Sequence, residues 1–157
     1  MNGLVDGRQS ETAARVARGV RRHLRAMGYS SVTELPLLDG RRADVVAVNA
    51  QSQILIVEIK SSVADFRADQ KWRDYRAHCD RLYFAIPEDV PQAIMPEEEG
   101  LIVADAFGAW VVREAATRAI APATRRAVLL RFAHAAADRL HRLADPGLSF
   151  TALGSEP

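Results

Sequence analysis

The stretch Gln-Ile-Leu-Ile-Val-Glu-Ile-Lys at residues 53–60 is apolar on both faces of an extended chain until its last three positions. Its β-branched side chains favour a strand, and a strand that is apolar on both faces belongs inside a sheet that other elements cover. A chain of 157 residues has room for one such domain and little for a second. Hydrophobic residues at 48% and charged residues at 26% supply a core and a solvated surface. That balance excludes disordered, collagenous and coiled-coil chains.

The flanking segments supply the cover. Ser10 caps a predicted helix that runs to about Met27, with Val16, Val20, Leu24 and Met27 on one face and Gly28 as a stop signal. Residues 31–37, 43–48 and 53–60 read as three strands, joined by turns at Asp39-Gly40 and at 49–52. Ser62, with Asp65 three residues on, opens a second helix expected to carry Phe66, Trp72, Tyr75 and Cys79. Residues 81–86, 101–104 and 109–112 read as further strands. A final helix is expected from Pro122 to the Asp145-Pro146-Gly147 stop, burying Leu129, Phe132, Ala136, Leu140 and Leu143. The order αβββαβ followed by ββα predicts an α/β (mixed α+β) domain. The early hairpins make antiparallel pairs and the helix crossover permits a parallel one, giving a mixed sheet flanked by helices. We expect one domain over 1–157, with its core at about 10–145 and flexible tails on either side.

The longest uncharged run, 45–57, is broken by Asn49, Gln51, Ser52 and Gln53 and is too short for a membrane helix. Asp6, Arg8 and Glu11 sit where a signal peptide would be apolar, and Cys79 is the sole cysteine. Both features predict a cytoplasmic protein without membrane contact. Net charge is +1, so the distribution of charge matters more than its sum. Of 21 basic residues only Lys60 and Lys71 are lysine, and a compact ammonium is not interchangeable with a guanidinium where chemistry is involved. Arg15, Arg18, Arg22 and Arg25 share the polar face of the first helix, by default a solvated one.

The end of the 53–60 strand carries the chemistry. Glu58 and Lys60, two apart, share one face with Ile59 opposite. A three-residue loop at 50–52 pairs Asn49 with Gln53, so partner numbers sum to 102 and Asp44 faces Glu58. Directly opposed Cβ atoms lie about 4.5–5.5 Å apart, where two carboxylates repel and a divalent cation between them would turn repulsion into a site. A three-residue loop at 38–40 makes the next pairs sum to 78 and sets Glu34 against Asp44. Three carboxylates beside Lys60 suit a hard cation such as Mg²⁺ or Mn²⁺. A two-residue Asp39-Gly40 turn would instead turn Glu34 away. Glu11 is a rival third acid, with a plainer role complementing the helix dipole and pairing with Arg15.

Arg41-Arg42-Ala43-Asp44 followed by Glu58-Ile59-Lys60 resembles the D…(D/E)-X-K signature of the restriction-endonuclease-like, or PD-(D/E)XK, nuclease superfamily. The wider runs GRRAD, VEIKSSVADFRADQKW, Tyr75 and CDRLYFAIP resemble the MmcB-type bacterial DNA repair proteins, over roughly residues 11–143. The resemblance implies a restriction-endonuclease-like αβββαβ core with a C-terminal ββα extension. It implies that Asp44, Glu58 and the Ile59 carbonyl hold Mg²⁺ (or Mn²⁺), and that Lys60 orients or activates the water attacking a DNA phosphodiester. Ala43 stands where the superfamily motif has proline. Related nucleases carry Gln-x-x-x-Tyr on the next helix; here Lys71 to Tyr75 has that spacing, so Lys71 takes the place of the Gln, with Trp72 and Tyr75 packing or stacking.

The expected function is DNA repair-associated phosphodiester hydrolysis, with a catalytically silent DNA- or repair-complex-binding module as the alternative. Arg41, Arg42, Arg67 and the first-helix residues Arg18 and Arg22 are the expected phosphate contacts. Repair proteins and a second copy of the chain are further candidate partners beside DNA. No nucleotide-phosphate loop is present, and the four histidines are too dispersed for a zinc site. His78 reads as helix surface, Ser61 and Ser62 as caps, and Glu97-Glu98-Glu99 as a solvated loop.

Overall fold

The structure, a computed structural model, describes residues 10–147. The expected flexible tails lie outside the described residues. Helix α1 (Glu11–Ala26) precedes strands β1 (Ser30–Pro36), β2 (Arg42–Val48) and β3 (Ile54–Ile59). Helix α2 (Val63–Ala68) and a 3-10 helix (Trp72–His78) lead to β4 (Arg81–Ile86). A short 3-10 helix (Gln92–Ile94), strands β5 (Gly100–Ala104) and β6 (Ala109–Arg113), and helix α3 (Pro122–Ala144) complete the domain. The six strands form one sheet in sequence order. β3 pairs with β4 and β4 with β5 in parallel; the other neighbours are antiparallel. This is the mixed sheet that the αβββαβ and ββα order implies. No described helix is long and apolar enough to cross a membrane.

Every residue of β3 is buried, so each face needs its own cover. On one face α1 packs Val16, Val20 and Leu24 against Val45, Leu55, Val57, Ile59 and Ile102. On the other, Trp72, Tyr75 and Val128 pack with Ile54, Ile56, Leu82 and Phe84. Ser10 caps α1 by accepting from the Ala13 N–H at 3.0 Å. Gly19 lets α1 approach closely, because a Cβ there would fall 1.9 Å from the Asp105 carbonyl oxygen.

Both hairpin registers agree with the loop arithmetic. Thr33 pairs with Val45 and Leu35 with Ala43, while Val45 pairs with Val57 and Val48 with Ile54. Gly40, at φ +83, supplies the left-handed residue of the first loop.

Four expectations need correction. The single second helix is two pieces, because Asp69 takes an extended conformation after α2 and its carboxylate accepts the Lys71 N–H at 3.0 Å. Leu140 and Leu143 are exposed, at 68% and 81%: α3 reaches the sheet edge at Arg139, which donates to the Thr33 and Glu34 carbonyls. Glu99 is buried, held by Arg76 and Arg118. His78 is buried too, with Nε2 at 3.2 Å from the Asp39 carboxylate.

Candidate active site

The site forms where the β2–β3 ladder ends. Continued one step beyond Val45 and Val57, the register sets Asp44 against Glu58, on the face shared with Val46 and Ile56. Here side chains replace the ladder. The Asp44 N–H donates to Glu58 Oε1 at 3.0 Å, and the Ile59 N–H donates to Asp44 Oδ2 at 2.8 Å. Each carboxylate thus spends one oxygen on the opposite strand. Among the described residues no further N–H, hydroxyl or ammonium donates to either carboxylate, and the two carboxyl groups lie in hydrogen-bonding reach of each other.

Burial and like charge govern the pair. Glu58 is 3% exposed; its burial, then the charge of Asp44, push its carboxyl well above the usual range, against the pull of the Asp44 N–H and Lys60. Burial likewise raises Asp44, opposed by the Ile59 N–H, the Lys60 charge and a hydrogen bond with the Glu58 carboxyl. Lys60 is equally buried, and its Nζ lies 2.9 Å from Asp69 Oδ2. Burial disfavours the ammonium, but the hydrogen bond and charge of Asp69, with Glu58 and Asp65 behind it, outweigh that and raise its pKa. Lys60 is therefore a fixed cation at neutral pH.

The break after α2 brings Asp69 to Lys60. Ser62 caps α2 by accepting from the Asp65 N–H at 3.0 Å, and Asp65 in turn accepts from the Ser61 N–H at 3.1 Å. Asp65 also adds negative charge near Asp44 and Lys60. Tyr75 lies close by, its hydroxyl donating to the Arg42 carbonyl at 3.0 Å. Its burial, with Glu58, Asp44 and Asp69 nearby, pushes its phenol up.

The structure brings Asp44, Glu58, Ile59 and Lys60 together, but not every expected member. Glu34 is opposite Asp44 in number only. It takes a positive φ of 51 between the Thr33 and Leu35 pairs, and its carboxylate lies 3.9 Å from the Arg42 guanidinium, outside the charges acting on Asp44 and Glu58. A positive φ rotates its side chain away from the ladder. Glu11 is in the α1 layer, 2.6 Å from Arg15. Arg41 is held by Asp74 at 2.6 Å, and Arg42 is exposed. Arg18 and Arg22 belong to α1 and are separated from the pair by the sheet. Lys71 is exposed at the break, whereas Trp72 is buried edge-on to Phe84, with Arg73 at 4.4 Å and Arg76 at 5.1 Å over its ring. Trp72 and Tyr75 pack rather than present ring faces to a base.

Asp65 and Asp69 are the members that the motif left out. Helical spacing does not report Asp69, because it lies past the end of α2 in extended backbone. Among the described residues no three His, Cys, Asp or Glu side chains are grouped to hold a metal ion. A site here would rest on the Asp44 and Glu58 carboxylates with backbone and water oxygens. That donor set fits Mg²⁺, which binds through one or two carboxylates and keeps several waters.

A family model described as DNA repair protein MmcB-like matches residues 1–147. A protein of unknown function from Silicibacter pomeroyi, SPO1766, has 42% identity and a TM-score of 0.87, covering 92% of this chain and 100% of that one. A repair endonuclease from Pyrococcus abyssi has 18% identity and a TM-score of 0.41, covering 65% of this chain and 50% of that one. No curated protein matches.

Proposed function

The chain belongs to the MmcB-like DNA repair protein family, and from that membership we propose that it is a metal-dependent nuclease hydrolysing phosphodiester bonds in DNA. The observation that carries this reading is the buried Glu58 carboxyl facing that of Asp44, each fixed by one backbone N–H, next to the ammonium of Lys60. Burying two repelling carboxylates is costly unless a ligand offsets the charge. Asp44 and Glu58, with the Ile59 carbonyl, would hold Mg²⁺ or Mn²⁺. Such an ion polarises a phosphoryl oxygen and lowers the pKa of a bound water.

The residues of the chain have separable tasks. The Ile59 N–H orients the Asp44 carboxylate, and the Asp44 N–H orients that of Glu58. Lys60 is paired with Asp69 at 2.9 Å; its ammonium orients a water or a phosphate oxygen and balances negative charge. Arg42 and Lys71, exposed near the cluster, are the proposed phosphate contacts of this face.

A second reading, DNA binding without cleavage, is favoured by one feature: Lys60 is already engaged by Asp69. The test is cleavage of single-stranded, nicked, flapped and four-way DNA with Mg²⁺ or Mn²⁺, beside Lys60→Ala. Cleavage by wild type alone supports the nuclease reading. Binding of the panel without any cut by wild type overturns it in favour of the silent module.

A further inference from the structure

The arginines of α1 lie across the sheet from Asp44 and Glu58, yet they are not scattered. A cleft of about 570 Å³ opens between α1 and the edge strand β1, lined by Arg18, Arg21, Arg22 and Arg25 with the polar residues Ser31 and Thr33. No acid lines it. None of the four guanidinium groups has a carboxylate partner among the described residues, whereas Arg15, Arg41, Arg76, Arg118 and Arg125 all have one. Two of the four are already positioned: Arg21 donates from Nε to Ser31 Oγ at 2.9 Å and from Nη2 to the Ser31 carbonyl at 3.1 Å, and Arg22 donates from Nη1 to the Phe107 carbonyl at 3.4 Å.

Like charges three and four residues apart on a helix destabilise it, and here the pairs Arg18/Arg22 and Arg21/Arg25 stand uncompensated. An anion in the cleft would remove that repulsion. Arg18 and Arg25 are seven residues apart, about 10 Å along the helix axis, which matches about three nucleotides of rise along one duplex strand. Guanidinium groups suit phosphate oxygens, and a hydroxyl-lined wall adds donors without sequence readout.

We propose that this α1–β1 cleft is a phosphate-binding site that holds a nucleic-acid backbone, on the face of the sheet opposite Asp44 and Glu58. One molecule then grips nucleic acid on two sides of its sheet. The choice of DNA as ligand rests on the proposed function; the anion chemistry of the cleft does not.

The test is fluorescence anisotropy of a labelled linear DNA duplex with the full chain, in chelator, across a salt series. The variants are Arg18→Gln and Arg25→Gln, with Arg126→Gln on α3 as an exposed control of equal charge change. Circular dichroism melts verify that each is folded. Arg18→Gln and Arg25→Gln should each weaken binding at least about threefold and flatten the slope of log K against log salt by roughly 0.9, while Arg126→Gln follows wild type. Wild-type slopes in both cleft variants, or an equal fall in Arg126→Gln, would overturn the proposal. Displacement of the duplex by micromolar inorganic triphosphate would reassign the cleft to a small polyphosphate and overturn the nucleic-acid assignment. Because chelator silences cutting, a wild type that binds with the expected slopes but never cleaves refutes only the nuclease reading.

Discussion

Replacing Glu58 by Gln separates the cost of the site from its use. The Gln side chain keeps Oε1 to accept the Asp44 N–H, which Glu58 accepts at 3.0 Å, so local geometry survives and only charge is lost. Without metal, that charge is a burden: Glu58 is buried, and Asp44 repels it. Opposed charges of like sign about 4 Å apart interact by up to about 4 kcal/mol at an effective dielectric constant near 20. The Asp44 N–H and Lys60 oppose this, leaving a net gain for Glu58→Gln of about 1–3 kcal/mol at neutral pH. For a chain of this size that is about 2–4 °C in Tm per kcal/mol. The pH dependence has a definite sign. A carboxyl raised by folding is protonated in both states below its unfolded pKa, about 4.3, and costs stability only as pH rises above that value. The advantage of Glu58→Gln should therefore be absent near pH 4 and grow towards neutrality. Thermal melts in chelator across this range are the assay. In millimolar Mg²⁺ the order reverses in kind: wild type gains stability by mass action and the variant does not. A Glu58→Gln protein less stable than wild type at pH 7 in chelator would show that the carboxylate is stabilised by its hydrogen bonds and that the pair carries no net repulsion.

Lys60→Arg should abolish cleavage with DNA binding kept, because a planar guanidinium does not fit where a buried ammonium meets Asp69; turnover near wild type in a nuclease assay would show that position 60 supplies charge alone. Gly19→Ala should destabilise the domain by about 1–3 kcal/mol, since the added methyl meets the Asp105 carbonyl, which a denaturant titration reads directly. Asp80→Asn should loosen α3, because Asp80 takes both Arg125 nitrogens at 2.6 and 2.7 Å and the Ile54 N–H at 2.7 Å. Arg125 and the Ile54 N–H hold the Asp80 carboxyl below the usual range, so its contribution is present above about pH 4 and lost as pH falls through the folded value. The wild-type and Asp80→Asn melting curves should converge in acid; a constant gap would refute that assignment.

Loop length and the two-residue period of strands were enough, by themselves, to set the β2–β3 register and so to oppose Asp44 and Glu58, whereas the β1–β2 register stayed open between a two- and a three-residue loop until Thr33 was found against Val45. Turn geometry is local, and once a loop is counted every later pair is determined. The same locality made α1 legible from its cap and its apolar spacing. What depended on distant parts of the chain was not legible. Asp69 reaches Lys60 because α2 ends at Ala68, and that contact joins the end of β3 to the far side of the helix break, nine residues on, which only the folded chain brings together. Glu99 reads as the last of three solvated acids until Arg76 and Arg118 enclose it. Glu34 obeys the arithmetic of its hairpin yet leaves the cluster, since a single positive φ reorients its side chain without changing the register around it. Helical periodicity places the α1 arginines on one side of their helix, but the face of the sheet to which α1 packs is a property of the whole topology. That choice, made by burying Val16, Val20 and Leu24 against Val45, Val57 and Ile102, sets the arginines across the sheet from the carboxylate pair.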